Sequence, residues 1–264
     1  LSTKLYITKN TSLLKNSLSR KLNNIKPLPI MATPTIFPVY TKVWHSEPYP
    51  AISPTKPELS ARGKVVIITG GGTGIGASAA KAFAQAGASG IGIIGRREKA
   101  LISSIADISA VSSTTKVSYA VADLTNKGAT DAAFKSLSDS LGKIDILISN
   151  AGWMSTIAPI TDSEDDDWWG SFEINIKGSF NAIRAFFPHA APNATLLSVN
   201  TAMATLPPMP GFSAYASSKI SSAKLHECLQ AEHPELRVVN VQPGVIKTYL
   251  GDKSGFPAMD NRRF

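Results

Sequence analysis

Residues Lys64–Gly76 read KVVIITGGGTGIG. Val65 to Ile68 is a short apolar run of β-branched residues, the composition of a strand buried on both faces. A glycine-rich turn follows. The next residues, ASAAKAFAQAGA (77–88), carry alanines and spaced apolar positions that read as a helix. Strand, glycine turn and helix in that order form a phosphate-binding arrangement. Glycines let the backbone approach a pyrophosphate, and the helix N-terminus offers free N–H groups and a partial positive charge. Gly70, Gly74 and Gly76 are spaced G-x-x-x-G-x-G rather than G-x-G-x-x-G. Taken alone, such a turn can also bind nothing.

The chain of 264 residues has room for one α/β domain with a sizeable core. Its net charge of +8 is uneven. Residues 1–30 hold six basic residues and no acid, which leaves the rest nearly neutral and without the basic stripe of a nucleic-acid binder. Cys228 has no partner for an internal disulfide, which fits a reducing compartment and a buried rather than catalytic thiol. No apolar run reaches the ~20 residues of a membrane span. No metal site is expected.

The leader at 1–30 is basic and rich in Ser and Asn, like a mitochondrial transit peptide. The chain begins at Leu1, however, and Met31-Ala32 reads equally well as a start, leaving 1–30 without a biological role. A cytoplasmic location is expected, or a mitochondrial one if the leader is genuine. Residues 31–60 form a proline-rich arm, with Pro34, Pro38, Pro48, Pro50, Pro54 and Pro57, expected to be extended along the domain surface. The folded domain is expected over 61–264.

Beyond the first helix, SGIGIIGRR (89–97) is a second buried strand ending at Gly95, followed by Arg96 and Arg97. In a dinucleotide fold this strand end faces the adenosine ribose. An acid there holds the 2′-hydroxyl, whereas arginine accommodates a 2′-phosphate, so NADP is favoured over NAD. The alternative is a solvated arginine pair opening a helix. Val117–Val121 is a third strand, with Asp123 beyond its end, placed to meet an adenine amine or to cap the next helix, 126–141. Ile144–Ser149 is a fourth strand, and Asn150-Ala151-Gly152 turns away from its carboxyl end, where parallel sheets bind ligands.

The segment from Glu164 to Pro188 reads as a helix with acids in its first turn. Trp168, Phe172, Phe180 and Ile183 share one apolar side, expected to be core or a subunit contact. Asn175 within it is a poor helix former that invites a functional explanation, exposure being the plainer one. Thr195–Asn200 is a fifth strand, 213–233 a helix with Tyr215 and Lys219, and Arg237–Val241 a sixth strand before Pro243-Gly244. This βα alternation predicts a doubly wound, Rossmann-like parallel sheet with helices on both faces.

Tyr215 and Lys219 are four apart and share a helix face. A lysine cation beside the tyrosine would lower its pKa from ~10 and fit it for acid–base work. Tyr215 would then pass a proton to or from a carbonyl or alcohol oxygen as hydride moves.

TGGGTGIG (69–76), Asp123, Asn150-Ala151-Gly152, Asn175 in NIKG, YASSK (215–219) and Pro243-Gly244, in that order, resemble the short-chain dehydrogenase/reductase family of the NADP-preferring type. The match spans about residues 60–250. The resemblance implies an NAD(P)H-dependent oxidoreductase acting on a small carbonyl or alcohol, without nucleic-acid or membrane partners. It implies a homodimer or homotetramer paired through the helices carrying Asn175 and Tyr215. By resemblance Thr69, Gly70, Thr73, Gly74, Ile75, Gly76, Arg96, Asp123, Leu124, Asn150, Ala151, Gly152, Lys219, Pro243, Gly244 and Thr248 meet the cofactor. Tyr215, Lys219 and Asn175 are the expected catalytic set, with Asn175 ordering a water in a relay to Lys219.

Two departures stand out. Where the family has a serine after the fifth strand, this chain reads Val199-Asn200-Thr201-Ala202. Thr201 is the nearest hydroxyl, able to donate the same hydrogen bond with more bulk, and Ser198 is second choice. Family members also continue into a further strand and helix, whereas this chain ends at Phe264, which reads as a truncation exposing the sixth strand. Both departures leave a non-catalytic NADP-binding sensor or inactive paralogue as the rival reading.

Overall fold

A computed structural model describes residues 49–255. The leader and most of the proline arm lie outside the described residues. The described end of the arm forms short 3₁₀ turns at Pro50–Ile52 and Pro57–Leu59, each opened by a proline whose fixed φ suits the first helical position. The arm then joins the domain through a bridge between Arg62 and Ala88.

The domain alternates strand and helix. In chain order these are β1 (Val65–Thr69), α1 (Gly74–Gln85), β2 (Gly90–Gly95), α2 (Glu98–Val111), β3 (Lys116–Val121), α3 (Lys127–Leu141) and β4 (Ile144–Ser149). They continue with α4 (Asp165–Phe172), α5 (Ser179–Phe186), β5 (Ala190–Val199), α6 (Ser213–Glu232), β6 (Arg237–Val241) and α7 (Tyr249–Lys253). The strands form one parallel sheet in the order β3-β2-β1-β4-β5-β6. The order reverses between β1 and β4, and the crevice at their carboxyl ends is where such sheets bind ligands.

All five residues of β1 are buried, because helices cover both faces. The two-residue period of the strand divides them. Val66 and Ile68 pack with Ala80, Ala84, Leu101 and Ile108 of α1 and α2 on one face. Ile67 packs with Phe134, Leu137 and Phe186 of α3 and α5 on the other. Phe134 and Phe186 are fully buried, each contributing about 1.5–3 kcal/mol of transfer free energy.

Four local expectations are corrected. The helix from Glu164 to Pro188 is broken: residues Glu173–Gly178 form a π-turn between α4 and α5, and Phe187–His189 close in a 3₁₀ turn. The fifth strand starts at Ala190 rather than Thr195. Its pairing with β4 shifts register between Ile144 and Ile146, and Asn193 takes φ 55°, an asparagine-tolerant left-handed conformation. Cys228 is exposed on α6, because His226 and Leu229 take the inward positions around it. The expected apolar side of the Glu164–Pro188 segment divides as well. Ile183 is buried in the core, whereas Phe180 is exposed.

Candidate active site

The glycine turn is shaped by close approach. A side chain on Gly76 would begin 2.5 Å from the Gly70 carbonyl oxygen and 2.6 Å from Asn150 Nδ2, so only glycine fits. Gly74 takes φ 58° at the start of α1. No side chain caps α1, and Thr73 at its N-cap leaves the first N–H groups of the helix to other partners. An open turn of glycines and an uncapped helix start fit a pyrophosphate.

Thr69 ties this turn to the neighbouring strand. Its buried hydroxyl accepts from the N–H groups of Asn150 (3.0 Å) and Ala151 (3.1 Å). Asn150 answers by donating from Nδ2 to the carbonyls of Thr69 (2.9 Å) and Gly70 (3.3 Å). Ile75 follows in the first turn of α1, half-buried. These bonds close the crevice between β1 and β4 at its floor.

At the end of β2, Arg96 and Arg97 are exposed. Arg97 donates to Thr73 Oγ1 at 3.4 Å, and Arg96 lies 4.0 Å from the Asp123 carboxylate. Asp123 does not cap α3. It accepts from the Thr125 N–H and hydroxyl, both at 2.9 Å, while Asn126 takes the cap position and accepts from the Ala129 N–H. Leu124 is buried, and its carbonyl accepts from Asn181 Nδ2 at 2.8 Å.

Asn175 sits in the π-turn, an irregularity often found at functional positions. It is buried and fully engaged. Oδ1 accepts from the Trp153 N–H at 2.8 Å, and Nδ2 donates to the Trp153 carbonyl and to Ser218 Oγ, both at 2.9 Å. The Ser218 hydroxyl donates in turn to the Tyr215 carbonyl at 2.9 Å. The wider turn of the π-helix thus aims an otherwise awkward residue at the loop after β4.

Tyr215 and Lys219 project from α6 toward the ends of β4 and β5. A side chain on Gly152 would begin 3.4 Å from Asn175 Oδ1 and 3.5 Å from Lys219 Nζ, which brings the loop, the π-turn and the lysine to one point. Lys219 is buried and donates from Nζ to the Val199 carbonyl at 2.9 Å, with Nζ 6.0 Å from the Tyr215 ring centre. Burial pushes its pKa down to about 8. Burial likewise pushes the Tyr215 hydroxyl up to about 12, opposed by a hydrogen bond from Thr201. The expected lowering of the tyrosine pKa is therefore corrected for the protein alone: removal from water raises it, and the hydrogen bond from Thr201 only partly offsets that.

Thr201 hydrogen-bonds the Tyr215 side chain and also accepts from the Met203 N–H at 3.3 Å. Ser198 is buried within β5, paired beside Ser149 and Asn240. Asn200 holds the approach to Thr201: Oδ1 accepts from the Thr201 N–H at 2.9 Å, and Nδ2 donates to the Lys219 carbonyl at 3.2 Å. Asn200, Ser218 and Trp153 carry no signal in the sequence that separates them from ordinary loop and helix residues. Pro243 and Gly244 follow β6, with Gly244 at φ 84°. Thr248 caps α7 by accepting from the Gly251 N–H at 3.0 Å, and its Cγ2 lies 3.2 Å from where a side chain on Gly74 would begin. Among the described residues no group of three potential metal ligands gathers, and no helix is long and apolar enough to cross a membrane.

Residues 64–255 match the family model described as short chain dehydrogenase. The chain is 34% identical to a short chain dehydrogenase of Pseudocercospora fijiensis, over 77% of this chain and 66% of that protein. It is 30% identical to the short chain dehydrogenase andI of Emericella variicolor, over 81% of this chain and 74% of that protein. Among solved structures, a Burkholderia cenocepacia short chain dehydrogenase in complex with NADP superposes with a TM-score of 0.67 at 27% identity, covering 72% of this chain and 77% of that one. An NAD⁺-bound xylitol dehydrogenase superposes with a TM-score of 0.65 at 26% identity, covering 70% and 71%. With its six-stranded parallel sheet, its glycine turn and these matches, the chain belongs to the short-chain dehydrogenase/reductase family of NAD(P)-dependent oxidoreductases.

Proposed function

We propose that the protein transfers hydride between NADP(H) and an uncharged carbonyl or alcohol, with Tyr215 as the acid–base group. The observation that carries this reading is the cluster beyond the carboxyl ends of β4 and β5, where Lys219 Nζ lies beside Gly152 and 6.0 Å from the Tyr215 ring centre and Thr201 hydrogen-bonds Tyr215. When bound, the nicotinamide supplies or accepts the hydride. The residues handle the proton and the oxygen.

In the reducing direction, Tyr215 enters protonated, as its raised pKa requires, and gives its phenolic proton to the carbonyl oxygen. The Thr201 hydroxyl donates a hydrogen bond to the same oxygen and fixes its place. Lys219 stabilises the phenolate left behind through its positive charge. Asn175 holds the loop after β4, through Trp153, against the helix that carries Tyr215. The segments near the site, around Trp153–Ile160 and Leu206–Phe212, are apolar and proline-rich, which favours an uncharged substrate.

NADP is favoured over NAD because Arg96 and Arg97 follow β2, where an acid would hold a free 2′-hydroxyl. Parallel titrations with NADPH and NADH test this. Arg96→Ala is expected to weaken NADPH binding about 10-fold, the size of one lost charge-assisted contact, and to leave NADH unchanged. Equal weakening of both would remove the case for NADP. By the same family reading the protein pairs through the faces of α4–α5 and α6, where Trp169, Phe180 and Ile220 are exposed. A homodimer or homotetramer is the proposed assembly.

A further inference from the structure

The segment after β6 is anchored at both ends. At its start, Thr248 packs over the glycine turn, its Cγ2 3.2 Å from where a side chain on Gly74 would begin. At the end of α7, Lys253 reaches the loop after β4. It donates from Nζ to the Met154 carbonyl at 2.6 Å, and its ammonium lies 4.5 Å from the Trp153 ring centre. Between the anchors the chain is a closed helical turn, with the Gly251 N–H donating to Thr248 Oγ1 at 3.0 Å and the Asp252 N–H to the Thr248 carbonyl at 2.8 Å. These bonds join the two anchors through one hydrogen-bonded turn.

Trp153 is the far end of this connection, and it is unusually well held. Both of its backbone groups bond Asn175. Its neighbourhood also includes Asp167 of α4. Burial opposes ionisation of that carboxyl, but hydrogen bonds from Thr156, the Lys253 charge and a bond from Trp153 outweigh it and keep Asp167 below its usual range. The cation of Lys253 thus has an aromatic face, a carbonyl and a nearby carboxylate arranged around it. An unbroken series of contacts runs from the glycine turn through α7, Lys253 and Trp153 to Asn175.

We propose that Lys253 is a positioning residue that latches the 246–253 strap to Trp153 and so couples the seating of Thr248 on the glycine turn to the geometry of Asn175. The inference rests on the reading of the glycine turn as a nucleotide site, because retention of a nucleotide there is what the latch would control. Lifting Thr248 from the turn carries α7 with it and pulls Lys253 from Trp153 and Met154. Opening the strap and loosening the loop held by Asn175 become one event.

The test compares the full chain with its Lys253→Met, Lys253→Arg and Trp153→Phe variants. Met keeps the aliphatic stem and removes the charge, and Arg restores a cation that stacks on an indole. Hydrogen exchange is measured first on the protein without added nucleotide. Amides 250–254 are expected to exchange about 10-fold faster in Lys253→Met, with Lys253→Arg close to wild type and the β1 amides unchanged in all variants. Stopped-flow release of NADPH is then expected to quicken about 10-fold in Lys253→Met, and the Lys253→Met/Trp153→Phe double variant to release no faster, as for two residues in one contact. Unchanged exchange of the strap in Lys253→Met, or multiplicative effects of the two substitutions, would overturn the proposal. A wild-type protein that binds no NADPH would overturn the nucleotide reading, while the exchange comparison would still decide the latch.

Discussion

The Nζ of Lys219 and the carbonyl of Val199 are joined by a 2.9 Å hydrogen bond that turns the ammonium toward the end of β5. The lysine is buried there with its charge directed at one carbonyl, and Tyr215 is buried beside it. Each group is displaced from its ordinary pKa mainly by the loss of water, in the direction that favours its neutral form.

That displacement gives a pH signature. With its folded pKa lowered to about 8 from 10.5, Lys219 contributes stability that is present above the unfolded value and lost as pH falls through about 8. Tyr215, raised to about 12 from 10.0, contributes stability that is present below pH 10 and lost as pH rises toward 12. Lys219→Met is therefore expected to melt higher than wild type at pH 7, with the gap closing by about pH 10, the ordinary range of a lysine. Thermal melts of both proteins across this range check it. A gap that does not change with pH would mean that the lysine is not a buried cation.

Asn175 makes three hydrogen bonds out of solvent, two to the backbone of Trp153 and one to Ser218. Asn175→Ala leaves the Trp153 N–H and carbonyl without partners. The expected cost is about 2–4 kcal/mol, from two buried polar groups left unpaired. Urea unfolding monitored by tryptophan fluorescence measures it. A loss below about 0.5 kcal/mol, the size of an ordinary surface substitution, would show that Asn175 does not hold this loop.

Gly76 admits no side chain without moving either the Gly70 carbonyl or the Asn150 amide. Gly76→Ala is expected to destabilise the domain by about 1–3 kcal/mol, the usual cost of overpacking, and to abolish NADPH binding by reshaping the turn. Calorimetric titration and a melting curve on the same sample separate the two effects. Intact binding in Gly76→Ala would place the pyrophosphate elsewhere.

The sheet was legible in the sequence because its strands are short apolar runs ended by turn residues, as in Val65–Thr69 before Gly70 and Ile144–Ser149 before Asn150. The glycine turn was legible for the same reason, since close approach leaves a residue-level mark. The break at Glu173–Gly178 was not, because EINIKG has nothing that stops a helix, and the π-turn comes from the packing of Asn175 against Trp153 and Ser218. The extension of β5 back to Ala190 depends on Asn193 adopting a left-handed conformation next to a proline, which composition argues against. The neighbourhood of Tyr215 and Lys219 followed from helical spacing, but the direction of the tyrosine shift did not. It is set by how deeply the hydroxyl is buried, which the spacing of Tyr215 and Lys219 along a helix does not reveal.

Tyr215 as the proton donor in an NADPH-dependent reduction is open to direct measurement. The direct measurement is the rate of NADPH consumption by the wild-type protein and by Tyr215→Phe across a panel of uncharged aldehydes and ketones. Saturable turnover of at least one compound is expected of wild type, and a loss of about 100-fold or more in Tyr215→Phe, the range of a general acid, with NADPH binding retained. Reduction that persists undiminished in Tyr215→Phe would contradict it.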